Sequence, residues 1–184
     1  MADDQRASEV IRHVRRFIKK DGTHRSPVDV NAIVQDVLSL LRNDAIIRNV
    51  SVEVDLDPGL PSVLVDRVQL QQVFVNLLMN AFDALGTATE RRTTVTTGKD
   101  GTAVHVSVKD SGSGIPVGDI ARIFDPFYTT KSSGLGMGLS IARSLIEAHG
   151  GQLWAGEQQG RRRDVYFSPV PAMAEAKPPA HGNQ

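Results

Sequence analysis

Residues 67–85, RVQLQQVFVNLLMNAFDAL, constrain the fold of this chain more than any other stretch. The run is long enough for about five helical turns, and most positions are apolar. Such a helix must be buried on most of its surface, so other layers have to surround it. Apart from Arg67 and Gln71, five polar positions interrupt it: Gln69, Gln72, Asn76, Asn80 and Asp83. At about 100° per residue they fall within an arc of roughly 80°. A solvent-facing edge is one reading of this stripe. However, such edges usually carry Lys, Glu and Arg, whereas Asn and Gln are only modest helix formers. Carboxamides also suit a site where a neutral group coordinates a cation or bonds a phosphate. Magnesium takes oxygen ligands beside nucleotide phosphates, and an Asn oxygen fits that role.

The rest of the chain offers strands and helices in irregular order. The strictly alternating VSVEVDLDPGLP (50–61) predicts a half-buried strand ended by Asp-Pro-Gly, and SVLVD (62–66) a short extended piece. DVNAIVQDVLSLLRNDAIIR predicts one amphipathic helix with Asp29 or Asn31 as its N-cap. TTVTT and TAVHVSVKD flank GKDG as a hairpin, and QLWAGEQ with RRDVYFSP forms a last one. GLSIARSLIEAHGG reads as a helix closed by Gly150. Without a regular βαβ alternation, this order predicts an α+β fold: a mixed sheet with helices on one face.

Composition narrows the class. Apolar residues make up 40% of the 184, enough for a core, and Lys+Arg equal Asp+Glu at 21 each. A neutral balance gives no electrostatic case for nucleic acid or for an anionic membrane surface. No run approaches the roughly 18 apolar residues of a membrane span, and MADDQRAS lacks a signal-peptide pattern. The absence of cysteine excludes disulfide scaffolds, thiol chemistry and cysteine-based zinc sites. A cytoplasmic domain is the expectation.

Two glycine-rich segments join the carboxamide helix as chemical candidates. DSGSG (110–114) follows a strand in which Val104, Val106 and Val108 share a face. Asp110 has the same parity, so its carboxylate should point to the buried side and needs a donor. The donor is either an exocyclic amine of adenine or a backbone N–H of the next turn. SSGLGMGLS (132–140) runs into the helix at 138 and would offer N–H groups to an anion. It is neither a Walker loop, lacking Gly-Lys-Ser/Thr, nor a dinucleotide fingerprint. The alternative for it is a flexible loop before a helix.

Together, NLLMNAFDAL, DSGSGIP, IFDPFYTTK and GLGMGLSIARSLIEAHGG resemble, in order, the N, G1, F and G2 boxes of sensor histidine kinases. The match covers roughly residues 26–168. The family belongs to the GHKL superfamily, whose resemblance implies the Bergerat fold, a two-layer α/β sandwich that binds ATP and Mg2+. Asn80 would be the magnesium ligand, and Asn76 would sit by the phosphates. Asp110 would read the adenine amine, with Gly112 and Gly114 lining base and sugar. Residues from about 115 to 133 would form a mobile lid, packed down by Phe124 and Phe127, with Lys131 reaching the phosphates. Gly134, Gly136 and Gly138 would supply backbone N–H groups. Ile115, Leu135, Met137 and Leu139 lie within the same boxes and complete the implied ATP-contacting set. Asp83 is also counted in that set. It departs from the basic residue many members have nearby, so its role is open.

Outside these boxes, residues 6–20 carry Ala7, Ile11, Val14 and Ile18 at the steps of a paired helix. They resemble a truncated second dimerisation helix (1–20), followed by a linker (21–25). Residues 169–184 read as a disordered tail. The five histidines, His13, His24, His105, His149 and His181, are followed by Val, Arg, Val, Gly and Gly. None has the acidic successor of a phosphoacceptor, so the acceptor histidine is expected outside this segment. His105 and His149 read as structural. The implied partners are that histidine helix and a downstream response regulator; a homodimer is left open. A GHKL-type ATPase is the competing activity, but Asn76 stands where that branch has its water-activating glutamate, and a carboxamide is no general base. A nucleotide-binding module without its own reaction is the third reading.

Overall fold

A computed structural model describes residues 24–86, 88–101, 103–131, 134–158 and 161–168. The expected helix at 6–20 and the tail from 169 lie outside them. Strand β1 (Ser26–Val28) leads into α1 (Val30–Leu40) and α2 (Arg42–Ile47). Then come β2 (Ser51–Leu56), β3 (Val63–Val65) and the long α3 (Arg67–Ala84). Strands β4 (Arg92–Asp100) and β5 (Ala103–Asp110), helix α4 (Gly138–Ala148), and strands β6 (Gln152–Gln158) and β7 (Arg161–Ser168) complete the order.

Five strands form one mixed sheet in the order β2-β4-β5-β7-β6. Only β2 and β4 run parallel; the other pairs are antiparallel. One face of the sheet presents Val95, Val104, Val106, Val108 and Leu153 to a core shared with Phe74, Leu77, Leu78, Phe82 and Ile146 of the helices. On the other face His105 and Trp154 are exposed. The expected α+β sandwich, with helices on one side, is the observed one.

Helix boundaries follow from capping. Asp29 Oδ1 accepts from the N–H groups of Asn31 and Ala32 at the start of α1, and Asp66 Oδ1 does the same for Val68 and Gln69 of α3. The single helix expected over 29–48 is broken at Leu41, which is buried and bends the chain between α1 and α2. Asn49, with φ 54°, ends α2; Val50 N–H donates to Ala45 and Asn49 N–H to Ile46. Gly150 and Gly151 close α4 with the same Schellman pattern, bonding Glu147 and Ile146.

The extended piece expected at 62–66 is strand β3, and it pairs with β1, which the sequence did not announce, as a separate antiparallel ribbon, Ser26 opposite Val65 and Val28 opposite Val63. Strand β4 also runs through the expected GKDG turn as far as Asp100. Gly98 stays in the strand because His105 lies across it: a Cβ at 98 would sit 2.7 Å from His105 Nε2.

Helices α3 and α4 pack antiparallel, and a buried histidine ties their ends. His149 is 6% exposed. Its Nδ1 donates to Leu145 O at 2.8 Å and its Nε2 accepts from Asp66 N–H at 3.1 Å. The residue that caps α3 is thereby fixed by the end of α4. His149→Ala strands both groups and should cost about 2 kcal/mol of stability, measured by urea unfolding. Thr93 gives the opposite case. It is wholly buried, and among the described residues its hydroxyl has no hydrogen-bond partner. Thr93→Val keeps the shape and removes the desolvation cost, so stability should rise by about 1 kcal/mol in the same assay.

Candidate functional site

The carboxamide stripe of α3 does not face open solvent. Gln69, Gln72, Asn76 and Asn80 are half-buried, beside a fully buried apolar face from Leu70 to Phe82. Asn76 Nδ2 donates to the carbonyl of Gly138 at 3.2 Å. Asn80 lies so close to the same residue that a Cβ at 138 would be 3.3 Å from Asn80 Nδ2. The first turn of α4 therefore abuts these two carboxamides. That turn has no side-chain cap on Met137, its N-cap residue. Among the described residues no side chain caps its leading N–H groups, which suit an acceptor.

Lys131 closes the cluster from the loop side. Its ammonium donates to Asn80 Oδ1 at 3.0 Å and to Asp83 Oδ2 at 2.7 Å. Asp83 Oδ1 takes a second cation, Arg48 Nη1, also at 2.7 Å. Sequence reasoning left Asp83 open and missed Arg48. Thirty-five residues separate the pair, and nothing local in the sequence announces such a contact.

Asp110 ends β5 half-buried, and its Oδ1 accepts from Gly112 N–H at 2.8 Å. The backbone donor weighed from sequence is thus present. Gly112 also brings this corner against α3. A Cβ there would lie 2.7 Å from both Ala84 O and Asp110 Oδ1, so no side chain fits. Asn76, Asn80, Asp83, Lys131 and Gly138 share direct contacts, and Asp110 with Gly112 meets the last turn of the same helix. Gly114 and Ile115 follow, both half-buried.

Between these corners, residues 116–128 fold as consecutive turns. Asp119 N–H bonds Pro116, Arg122 N–H bonds Asp119, and Tyr128 N–H bonds Asp125. Phe124 is buried, with the Arg143 guanidinium of α4 5.3 Å from its ring. Phe127 does not pack as expected: the residue is 71% exposed. Its backbone makes the contact instead, at φ 66°, where Gly136 presses against it. Tyr128 stacks under Arg122 at 4.6 Å. Its hydroxyl bonds the Asp119 carboxylate, which raises the phenol above its ordinary pKa. Gly134 lies against Thr129 Oγ1, while Leu135, Met137 and Leu139 are half-buried around the glycines.

A separate open hollow is lined by Ala45, Ile46, Asn49, Glu53, Arg91 and Arg92. It shares no residue with this cluster. Its Arg91 is already bonded to the carbonyls of Arg48, Gly86 and Ala88.

Residues 65–172 match the family model described as "Histidine kinase-, DNA gyrase B-, and HSP90-like ATPase". The chain belongs to this ATPase family. Its relatives narrow the branch within the family. Sensor protein FixL of Bradyrhizobium diazoefficiens is 40% identical over 82% of this chain and 30% of its own length. Sensor histidine kinase TmoS of Ectopseudomonas mendocina is 38% identical over 83% of this chain and 16% of its own. The chain thus spans less than a third of these two relatives. The catalytic domain of histidine kinase ThkA superposes with a TM-score of 0.71 at 33% identity, covering 80% of this chain and 95% of that one. Full-length ShkA in complex with AMPPNP gives 0.71 at 28% identity, over 83% of this chain and 32% of that one. ThkA in complex with response regulator TrrA gives 0.76 at 28%, over 95% and 50%. The chain therefore carries a catalytic ATP-binding domain of the sensor histidine kinase type. No helix among the described residues is long and apolar enough to cross a membrane.

Proposed function

We propose that this domain binds ATP with magnesium between α3, α4 and the loop 111–137, and passes the γ-phosphate to a histidine outside residues 26–168. The observation that carries the reading is the convergence of Asn76 and Asn80 on the start of α4, with the Lys131 ammonium bonded to Asn80. An uncapped helix N-terminus, two neutral carboxamides and one ammonium match a polyanion better than a sugar or an apolar ligand.

The donor set fits magnesium. Among the described residues no three His, Cys, Asp or Glu side chains gather into a metal cage. A single Asn oxygen already faces a cation, the Lys131 ammonium. That suits an ion held mostly by phosphates and water, with Asn80 Oδ1 as its protein ligand. Bound there, magnesium would neutralise charge on the phosphates.

The residues of the chain do the rest. Asp110 keeps one oxygen on Gly112 N–H, which fixes its rotamer, and its carboxylate would accept from the adenine amine. Gly112, pressed against Ala84 O, holds this corner against the end of α3. The first N–H groups of α4 would hold phosphate oxygens, and Asn76 fixes that turn through Gly138. In the transfer, an imidazole nitrogen forms the new P–N bond as the Pγ–O bond to ADP breaks, and the electron pair leaves on ADP. The site contributes positioning and charge rather than covalent chemistry.

Within this reading the domain lies in the cytoplasm of the cell. Its partners are a phosphoacceptor helix and, downstream, a response regulator. The test mixes the protein with γ-labelled ATP and a separate acceptor helix from a cognate kinase. Labelled acceptor histidine is expected. ATP binding without transfer to any cognate acceptor would leave only a nucleotide-binding module. No ATP binding would overturn the reading outright.

A further inference from the structure

Asp83 stands in an unfavourable place. It lies one residue from the end of α3, where the helix dipole disfavours a carboxylate by roughly 0.3–1 kcal/mol. It offsets this with two cations, one on each oxygen: Arg48 on Oδ1 and Lys131 on Oδ2, both at 2.7 Å. All three side chains are about one-third exposed, at 37%, 33% and 36% for Arg48, Asp83 and Lys131. Ion pairs this exposed contribute only about 0–1 kcal/mol to stability. Their geometry is nevertheless well supported from behind. The carbonyl of Arg48 accepts from Arg91 Nη1 at 2.9 Å, and Arg91 also bonds Gly86 and Ala88 just past the end of α3.

We infer that Asp83, oriented by Arg48, is a positioning residue that holds the Lys131 ammonium beside Asn80 Oδ1 and so presets it for the phosphates of the nucleotide. The inference rests on the ATP reading and extends it to residues that touch no ligand. A lysine side chain has about 2 kcal/mol of rotamer entropy to lose on being ordered. Asp83 settles that loss before the nucleotide arrives. Lys131 has three N–H donors; among the described residues two go to Asn80 and Asp83, leaving one for a phosphate oxygen. Lys131 also donates its own N–H to Thr129 Oγ1 at 3.1 Å. The pair therefore fixes where the loop meets α3 as well as where the charge sits.

The experiment is a calorimetric double-mutant cycle, with magnesium-ATP and with adenosine, which lacks phosphates. Asp83→Asn and Lys131→Ala should each weaken magnesium-ATP about tenfold and leave adenosine unchanged. The double variant should be no weaker than Lys131→Ala alone, because Asp83 acts only through that lysine. Arg48→Ala should show a smaller loss of the same kind. Asp83→Glu, which keeps the charge, should recover part of the affinity. Additive losses would overturn the inference, as would an equal loss for adenosine. Tighter ATP binding by Asp83→Asn would overturn it too, since Asp83 would then be keeping the ammonium away from the phosphates. Failure of the wild-type protein to bind ATP would instead bring down the reading beneath it.

Discussion

Asn80→Ala should lower magnesium-ATP affinity about a hundredfold, equivalent to roughly 2.8 kcal/mol. The loss should vanish when magnesium is chelated, because both proteins then bind the nucleotide without its ion. The variant is well suited to the question. Asn80 is half-buried, and among the described residues its Oδ1 bonds the Lys131 ammonium, which keeps Asp83. Alanine is the best helix former, so α3 loses little. The unfolding midpoint should therefore barely move while binding collapses. Titration calorimetry with and without a chelator separates the two, and unchanged magnesium dependence would remove Asn80 from the metal role.

An effect of similar size is expected at Gly136, for a steric reason. Its φ is +66°, a region that costs an L-residue about 1–2 kcal/mol. A Cβ would also meet Phe127 C at 2.5 Å and Tyr128 O and C at 2.6 and 2.7 Å. All three are backbone atoms, so no rotamer change relieves the clash. Gly136→Ala must push residues 127–128 away from the segment entering α4, carrying Thr129 and Lys131 with them. Magnesium-ATP affinity should fall about a hundredfold. The core, which includes no atom of this contact, should keep its far-ultraviolet dichroism. Wild-type affinity in Gly136→Ala would mean that this junction does not shape the cleft.

The parts of this molecule that were legible in the sequence are those encoded locally. The carboxamide stripe of α3 stood out because Asn and Gln replaced the charges of an ordinary solvent edge. Asp29 announced its helix by type and position, as did the paired glycines after His149. Other features depend on partners far along the chain. Strand β1 has three residues and includes Pro27, too short for an alternation to register, and β3 was legible as an extended piece but not its pairing. The break at Leu41 falls inside a continuous apolar stripe and reflects what that residue packs against. Gly98 looked like a turn because its reason for being glycine, the ring of His105, comes from the neighbouring strand. Arg48 is a surface arginine until α3 brings Asp83 to it. Phe127 was expected to pack on the resemblance alone, whereas here its backbone makes the contact.

The two helices that flank the carboxamides are fastened near both extremes, by His149 to Asp66 at one and by Asn76 to Gly138 toward the other. Walls joined in this way cannot swing apart like the covers of a book. If the proposed reaction holds, a guest that shrinks from triphosphate to diphosphate would be followed by the loop side of the cleft. Whatever this domain signals about its nucleotide would then leave through that border, while the helical floor keeps the same shape throughout.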